Sequence, residues 1–132
     1  MLVHRIGDEL EVLAEFHHAL HKSHRILIFD VAVDIRPGSA SFGRWEGVLL
    51  SAAEGNQLLI PRGFAHGFVT LEPETEVQYK VTAPYSAPHD RAIRFDDPAI
   101  GIDWPMPTDA LILSDKDRAA PVLADAELGA AA

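Results

Sequence analysis

His66 sits in Ile60-Pro61-Arg62-Gly63-Phe64-Ala65-His66-Gly67-Phe68, between a proline–glycine turn and an apolar run. An imidazole there has three possible uses: metal ligand, proton carrier, or hydrogen-bonded turn residue. A zinc or iron site usually needs three converging protein ligands, and His66 supplies one. The chain has no cysteine to add another. His17, His18, His21 and His24 lie close together and could contribute to a metal site with His66, or could form a solvated histidine-rich end. Tyr79, in EVQYKVT, shares an alternating face with Val77 and Val81 and is expected to point inward. With an ordinary pKa of about 10, its phenol can donate a proton to a carbanionic centre. A core-filling tyrosine with a partnered hydroxyl fits the same pattern. Lys116 and Asp117 belong to Ser-Asp-Lys-Asp, a charge cluster of a kind that is ordinarily solvated.

Short strands are expected to position these groups. In ILIFDVAVDI, Phe29, Val31, Val33 and Ile35 alternate with Asp30, Ala32 and Asp34, the pattern of a half-buried strand, and Arg36-Pro37-Gly38-Ser39 ends it. Further runs at RWEGVLLS, QLLIP, GFVTLE, EVQYKVT, AIRF and ALILS are separated by turn residues, with no helix long enough to join parallel strands. The fold class expected is all-β, a barrel or jelly roll. Upstream, Ile6, Leu10, Leu13 and Leu20 recur near helical spacing among Glu9, Glu11 and Glu15, predicting a short amphipathic N-terminal helix. The alanine-rich segment 119–132 reads as a short helix or frayed, irregular tail.

Composition narrows the function classes. A length of 132 residues suits a single domain with one core. The residue mix is that of a soluble globular protein, and the longest apolar run, residues 26–29, is far too short for a membrane span. The first residues lack the apolar stretch of a secretory signal, so a cytoplasmic location is expected. Eleven basic against 20 acidic side chains give a formal charge of −9, which argues against nucleic acid as a partner.

The spacing Gly55, Pro61, Gly63, His66 resembles the second motif of the cupin superfamily, but Thr70 stands where the metal-binding pattern carries asparagine. The companion His-x-His motif is not found upstream. A more extensive resemblance runs through FDVAVDIRPGS, FGRW, LLIPRGFAHGF, EVQYKVTAPYS, IRFDDPAIGIDWP and ILSDKD. Over residues 26–122, in order, the chain resembles the dTDP-4-dehydrorhamnose 3,5-epimerase family, metal-independent cupins of deoxysugar synthesis. The resemblance implies a homodimer of double-stranded jelly rolls. It also implies a dTDP-4-keto-6-deoxy sugar nucleotide as substrate and epimerisation at C3 and C5 without metal or redox cofactor. It assigns Tyr79 as the acid and Asp117 as the residue that orients the histidine base. His66 would line the sugar end of the pocket, Tyr85 would lie at the nucleotide, and Lys116 near phosphate or substrate oxygens. Trp45, Asp103 and Trp104 would be buried anchors.

The family's Arg-Gly-Leu-His-Tyr-Gln segment, which carries the base, has no match upstream of FDVAVDIR. MLVHRIGDELEVLAEFHHALHKSHR stands there instead. The expectation is therefore a barrel over 26–122 that lacks the usual N-terminal strands, preceded by an atypical segment over 1–25. One of His17, His18, His21 and His24 is then a candidate for the base position. The competing expectations are a non-catalytic sugar-nucleotide-binding or dimerisation module, and a metal-binding cupin.

Overall fold

The computed structural model describes residues 4–5, 12–15 and 27–128. Its strands are β1 (His4–Arg5), β2 (Val12–Glu15), β3 (Leu27–Asp34), β4 (Trp45–Ser51), β5 (Leu58–Ile60), β6 (Phe64–Thr70) and β7 (Gln78–Val81). They form a four-stranded sheet in the order β1-β6-β3-β4 and a three-stranded sheet in the order β5-β2-β7, paired antiparallel throughout. The sheets do not close on each other among the described residues.

β3 is the centre of the larger sheet and is buried on both faces, not on one as its alternation suggests. Val31, Val33 and Ile35 join Ala65, Val69, Ile93, Phe95, Trp104 and Leu123 in one core cluster. This cluster lies under the chain that follows β7, so the sheet's outer face is covered by that later segment. On the opposite face, Ile28 and Leu50 pack with Phe68 of β6, Leu58 of β5 and Val77, joining the two sheets. Asp30 and Asp34 share this face with Ile28 by the two-residue period, and they are 0% and 1% exposed. Antiparallel sheets commonly leave one face to water; here both faces are covered, so the strand's polar positions became interior ones.

The turn after β3 is stapled by Asp34. Its carboxylate accepts from the Arg36 backbone N–H (3.0 Å), Nε (2.9 Å) and Nη2 (2.7 Å), from Ser39 Oγ (2.7 Å) and from Ser41 Oγ (2.6 Å). The Arg36 guanidinium, first among these, holds the Asp34 carboxyl well below the usual carboxylate range. The Arg36 side chain also lies over the Phe64 ring, with Cζ 4.8 Å from its centroid, and packs on Gly63. A Cβ at Gly63 would stand 2.4 Å from Arg36 Cγ, and its φ of +80° is left-handed. Glycine is therefore required at the entry to β6 on two grounds.

Several expectations need correction. The N-terminal amphipathic helix does not form over Val12–Glu15, which is a strand between β5 and β7. Leu10, Val12, Ala14 and Phe16 alternate with Glu11, Leu13 and Glu15, and pairing on both sides overrides the helix propensity of Leu, Ala and Glu. The remainder of that helix lies outside the described residues. Strands are also present at the start of the chain, where none were expected. AIRF and ALILS are not strands: Ile93 and Phe95 are buried in the outer-face cluster, Phe95 at a turn, and the Arg94 N–H donates to the Pro121 carbonyl at 2.8 Å. One-sided burial gives the same alternation whether or not the backbone joins a ladder. Of the predicted anchors, Trp104 is buried and donates to the Phe95 carbonyl (3.0 Å), Trp45 is half-buried, and Asp103 is exposed.

Candidate functional site

His66 is the third residue of β6, on the face that β6 and β3 turn toward the smaller sheet. The register pairs His66 with Ala32 and Phe68 with Asp30, so Asp30 lies diagonally across the ladder from His66 on the same face. Its Oδ1 is 2.6 Å from His66 Nε2, and the side chains are 0% and 7% exposed. This is a buried imidazole–carboxylate pair. Such contacts are stronger than neutral hydrogen bonds and fix the orientation of the ring. Asp30 Oδ2 is buried without a hydrogen-bond partner among the described residues. A buried carboxylate with an unmet oxygen is costly, and residues held that way concentrate at functional sites.

Tyr79 lies in β7, where its backbone pairs with Ala14 of β2 in the three-stranded sheet, whereas His66 lies in the four-stranded one. β2, next to β7, comes from the N-terminal segment, so that segment is built into the site's wall. His17, His18, His21 and His24 lie outside the described residues.

Lys116 and Asp117 fall on a one-turn helix, α1 (Asp115–Arg118), rather than in a loop. Ser114 caps it: the Asp117 N–H donates to Ser114 Oγ (3.1 Å), and Ser114 Oγ donates to Asp117 Oδ2 (2.7 Å). Asp117 is 5% exposed, so the solvated reading of this cluster does not hold for it. Lys116 forms an ion pair with Asp90 Oδ2, and the same oxygen accepts from the Tyr85 hydroxyl at 3.0 Å. The Asp90 carboxylate raises the Tyr85 phenol above its ordinary value of 10.0. The structure thus brings together Tyr85 and Lys116, and separately pairs His66 with a residue the sequence did not single out.

Asp30 and Asp90 were both missed by sequence reasoning. Asp30 looked like a solvent-side position of an alternating strand. Asp90 had no signal beyond its nearness to Tyr85. Among the described residues no group of three or more His, Cys, Asp or Glu could hold a metal ion. No helix among them is long and apolar enough to cross a membrane. An open depression lined by Phe42, Ala99, Leu123 and Leu128 draws on the outer cluster and holds none of the site residues.

The family model for dTDP-4-dehydrorhamnose 3,5-epimerase matches residues 18–125. A dTDP-4-dehydrorhamnose 3,5-epimerase from Sinorhizobium fredii is 55% identical over 98 residues, 74% of this chain and 50% of that protein. The crystal structure of a dTDP-4-dehydrorhamnose 3,5-epimerase from Bacillus anthracis, with TDP and pyrophosphate bound, superposes with a TM-score of 0.79 at 39% identity, covering 92% of this chain and 66% of that one. A dTDP-6-deoxy-D-glucose-3,5-epimerase from Legionella pneumophila, in complex with dTDP-4-keto-L-rhamnose, gives a TM-score of 0.69 at 39% identity over 87% of this chain and 56% of that one. The chain spans about half the length of the curated relatives it matches. Its two antiparallel sheets are those of the cupin-type jelly roll of these enzymes, and the chain belongs to the dTDP-4-dehydrorhamnose 3,5-epimerase family.

Proposed function

We propose that this chain acts on a dTDP-4-keto-6-deoxyhexose, epimerising C3 and C5 by proton abstraction and reprotonation. The observation that carries the reading is the buried His66–Asp30 pair, on the inter-sheet face of a chain of this family and across from the strand bearing Tyr79. The ketone at C4 acidifies the protons on C3 and C5. A base removes one of them, the C–H electron pair moves into the enolate with charge on the C4 oxygen, and an acid returns a proton to the opposite face of the same carbon. The ketone re-forms, and base and acid recover their protonation states from solvent. No redox cofactor enters this balance.

In this reading Tyr79 is the acid, and the base is a histidine of the N-terminal segment oriented by Asp117. His66, held by Asp30, lies at the sugar end, where its ring stabilises the enolate oxygen. Tyr85 and Lys116 take the thymine and diphosphate end. Residues 1–132 act as one domain, the protein resides in the cytoplasm, and it works as a homodimer. Dimerisation is supported by β4, an edge strand with Val48 and Leu49 exposed, since a long apolar edge invites pairing with a second copy. The test of the activity is product formation from the keto-sugar by wild type and Tyr79→Phe. A folded wild type that binds the nucleotide but never turns over would replace the reading with that of a binding module.

A further inference from the structure

β1 is two residues long and stands at the edge of the larger sheet beside β6, with His4 paired to His66 and Arg5 to Ala65. The two β6 partners belong to different faces. Ala65 is part of the core cluster on the outer face, whereas Phe68, two residues beyond His66, packs with the inter-sheet cluster. Residues directly opposite in an antiparallel pair share a face, with Cβ atoms about 4.5–5.5 Å apart. Of the two residues of β1, His4 therefore takes the inter-sheet position and Arg5 the outer one. On its other side His66 is paired with Ala32 of β3. The register thus makes a row of His4, His66 and Ala32 across three strands, in which only the histidines can carry a proton.

We infer that His4, set beside His66 by the β1–β6 register, is the base that takes the proton from C3 and C5, while His66 serves the C4 oxygen. The inference rests on the epimerase reading and deepens it by naming which residue of the N-terminal segment does this work. Epimerisation makes two demands on the protein at one end of the sugar: a base beside the C–H bond and a group at the oxygen where charge develops. His66 has one ring nitrogen taken by Asp30 at 2.6 Å. That leaves it a single nitrogen, which cannot stand at both places. Among the described residues the remaining histidine, His89, is engaged with Ser86 Oγ at 2.7 Å, outside both sheets. An imidazole, with an unperturbed pKa of about 6.5, is suited to accepting a proton near neutrality. The C–H bond breaks, its electron pair enters the enolate, and the proton is carried as a new N–H on the imidazole. After the tyrosine has protonated the opposite face, the imidazolium releases its proton to solvent and the phenolate regains one.

The test measures deuterium wash-in at C3 and C5 of the keto-sugar, with dTDP affinity by calorimetry, in wild type, His4→Gln, His4→Gly and single glutamine replacements of His17, His18, His21 and His24. His4→Gln is expected to slow wash-in at both carbons by about 100-fold or more, with dTDP affinity held within about twofold. Added imidazole should restore part of the wash-in to His4→Gly, which a merely structural loss would not allow. The chain has no cysteine, so a double variant reads the register by itself. Oxidation of His4→Cys/His66→Cys should close an intramolecular disulfide, because opposite residues have Cα atoms about 4.5–5.5 Å apart. The control His4→Cys/Thr70→Cys, four residues further along β6, should not close. Wild-type wash-in in His4→Gln, or the loss falling on one of the other four histidines instead, would overturn the inference and leave the epimerase reading standing. Failure of the disulfide to form would remove its geometric basis. A folded wild type that binds dTDP and shows no wash-in overturns the epimerase reading, and the role of His4 with it.

Discussion

Replacing Asp30 by alanine removes the partner of a buried imidazole, and the structure sets the size of the effect. The His66 side chain is 7% exposed, so water cannot readily replace the lost contact, and Nε2 is left unsatisfied on the inter-sheet face. Leaving a buried polar group unpaired costs about 1–3 kcal/mol, and more where the lost partner was a charged acceptor. Asp30 already leaves Oδ2 without a partner among the described residues, so part of its desolvation cost is relieved on removal. We therefore expect about 3 kcal/mol for Asp30→Ala, a large fraction of the 5–15 kcal/mol typical of a domain, equivalent to a fall in Tm of about 10 °C. Asp30→Asn keeps an acceptor in place and loses only the charge assistance, about 1 kcal/mol. Urea unfolding followed by the fluorescence of Trp45 and Trp104 measures both. A double-mutant cycle with His66→Ala should give a coupling of at least about 1.5 kcal/mol. At temperatures where it remains folded, Asp30→Asn should slow solvent exchange of the keto-sugar about 10- to 100-fold through misorientation of His66. A coupling energy below about 0.5 kcal/mol would refute the claim that the two residues act as a pair.

Other consequences follow from the same geometry. Asp34→Asn should cost about 2 kcal/mol at neutral pH, because five charge-assisted contacts converge on that carboxylate. Its folded pKa is depressed, so its stabilisation is full above the unfolded value of about 3.9 and is lost as pH falls toward the folded one; acid unfolding curves of wild type and variant should converge in that window. Gly47→Ala should destabilise by about 1–3 kcal/mol, since its Cβ would lie 2.3 Å from Phe29 Cζ in a ring packed edge-on against Trp45 and Trp104, and thermal unfolding reads this directly. Sedimentation at micromolar concentration should show a dimer that Leu49→Lys shifts toward monomer, whereas a well-folded wild-type monomer would count against pairing through β4.

The parts of this molecule that were legible in its sequence are those where local pattern and tertiary use coincide. β3, β4 and β6 were legible as strands because each is a short apolar-rich run bounded by turn residues, although β3 is buried on both faces and not on the one its alternation suggests. β2 was misread because Leu10 and Leu13 satisfy a helical spacing while Leu10, Val12, Ala14 and Phe16 satisfy a strand, and only its two neighbours, β5 and β7, decide between them. The Asp30–His66 pair joins residues 36 positions apart through the β3–β6 register, which no local window contains. Asp30 was moreover placed on the wet side of its strand, whereas both faces are covered. The proximity of Tyr85 and Lys116 is likewise a product of folding. Each was singled out by its motif, but the carboxylate that both contact was not.

The most direct measurement is deuterium wash-in at C3 and C5 of dTDP-4-keto-6-deoxyglucose in heavy water, followed together with product formation. The account predicts exchange at both carbons for the wild type. In Tyr79→Phe, exchange should persist while product declines, because only the donor on the opposite face is removed. In Asp117→Asn, exchange and product should fall together, because the base loses its orientation. A folded wild type that binds dTDP and incorporates no deuterium at either carbon would contradict the account.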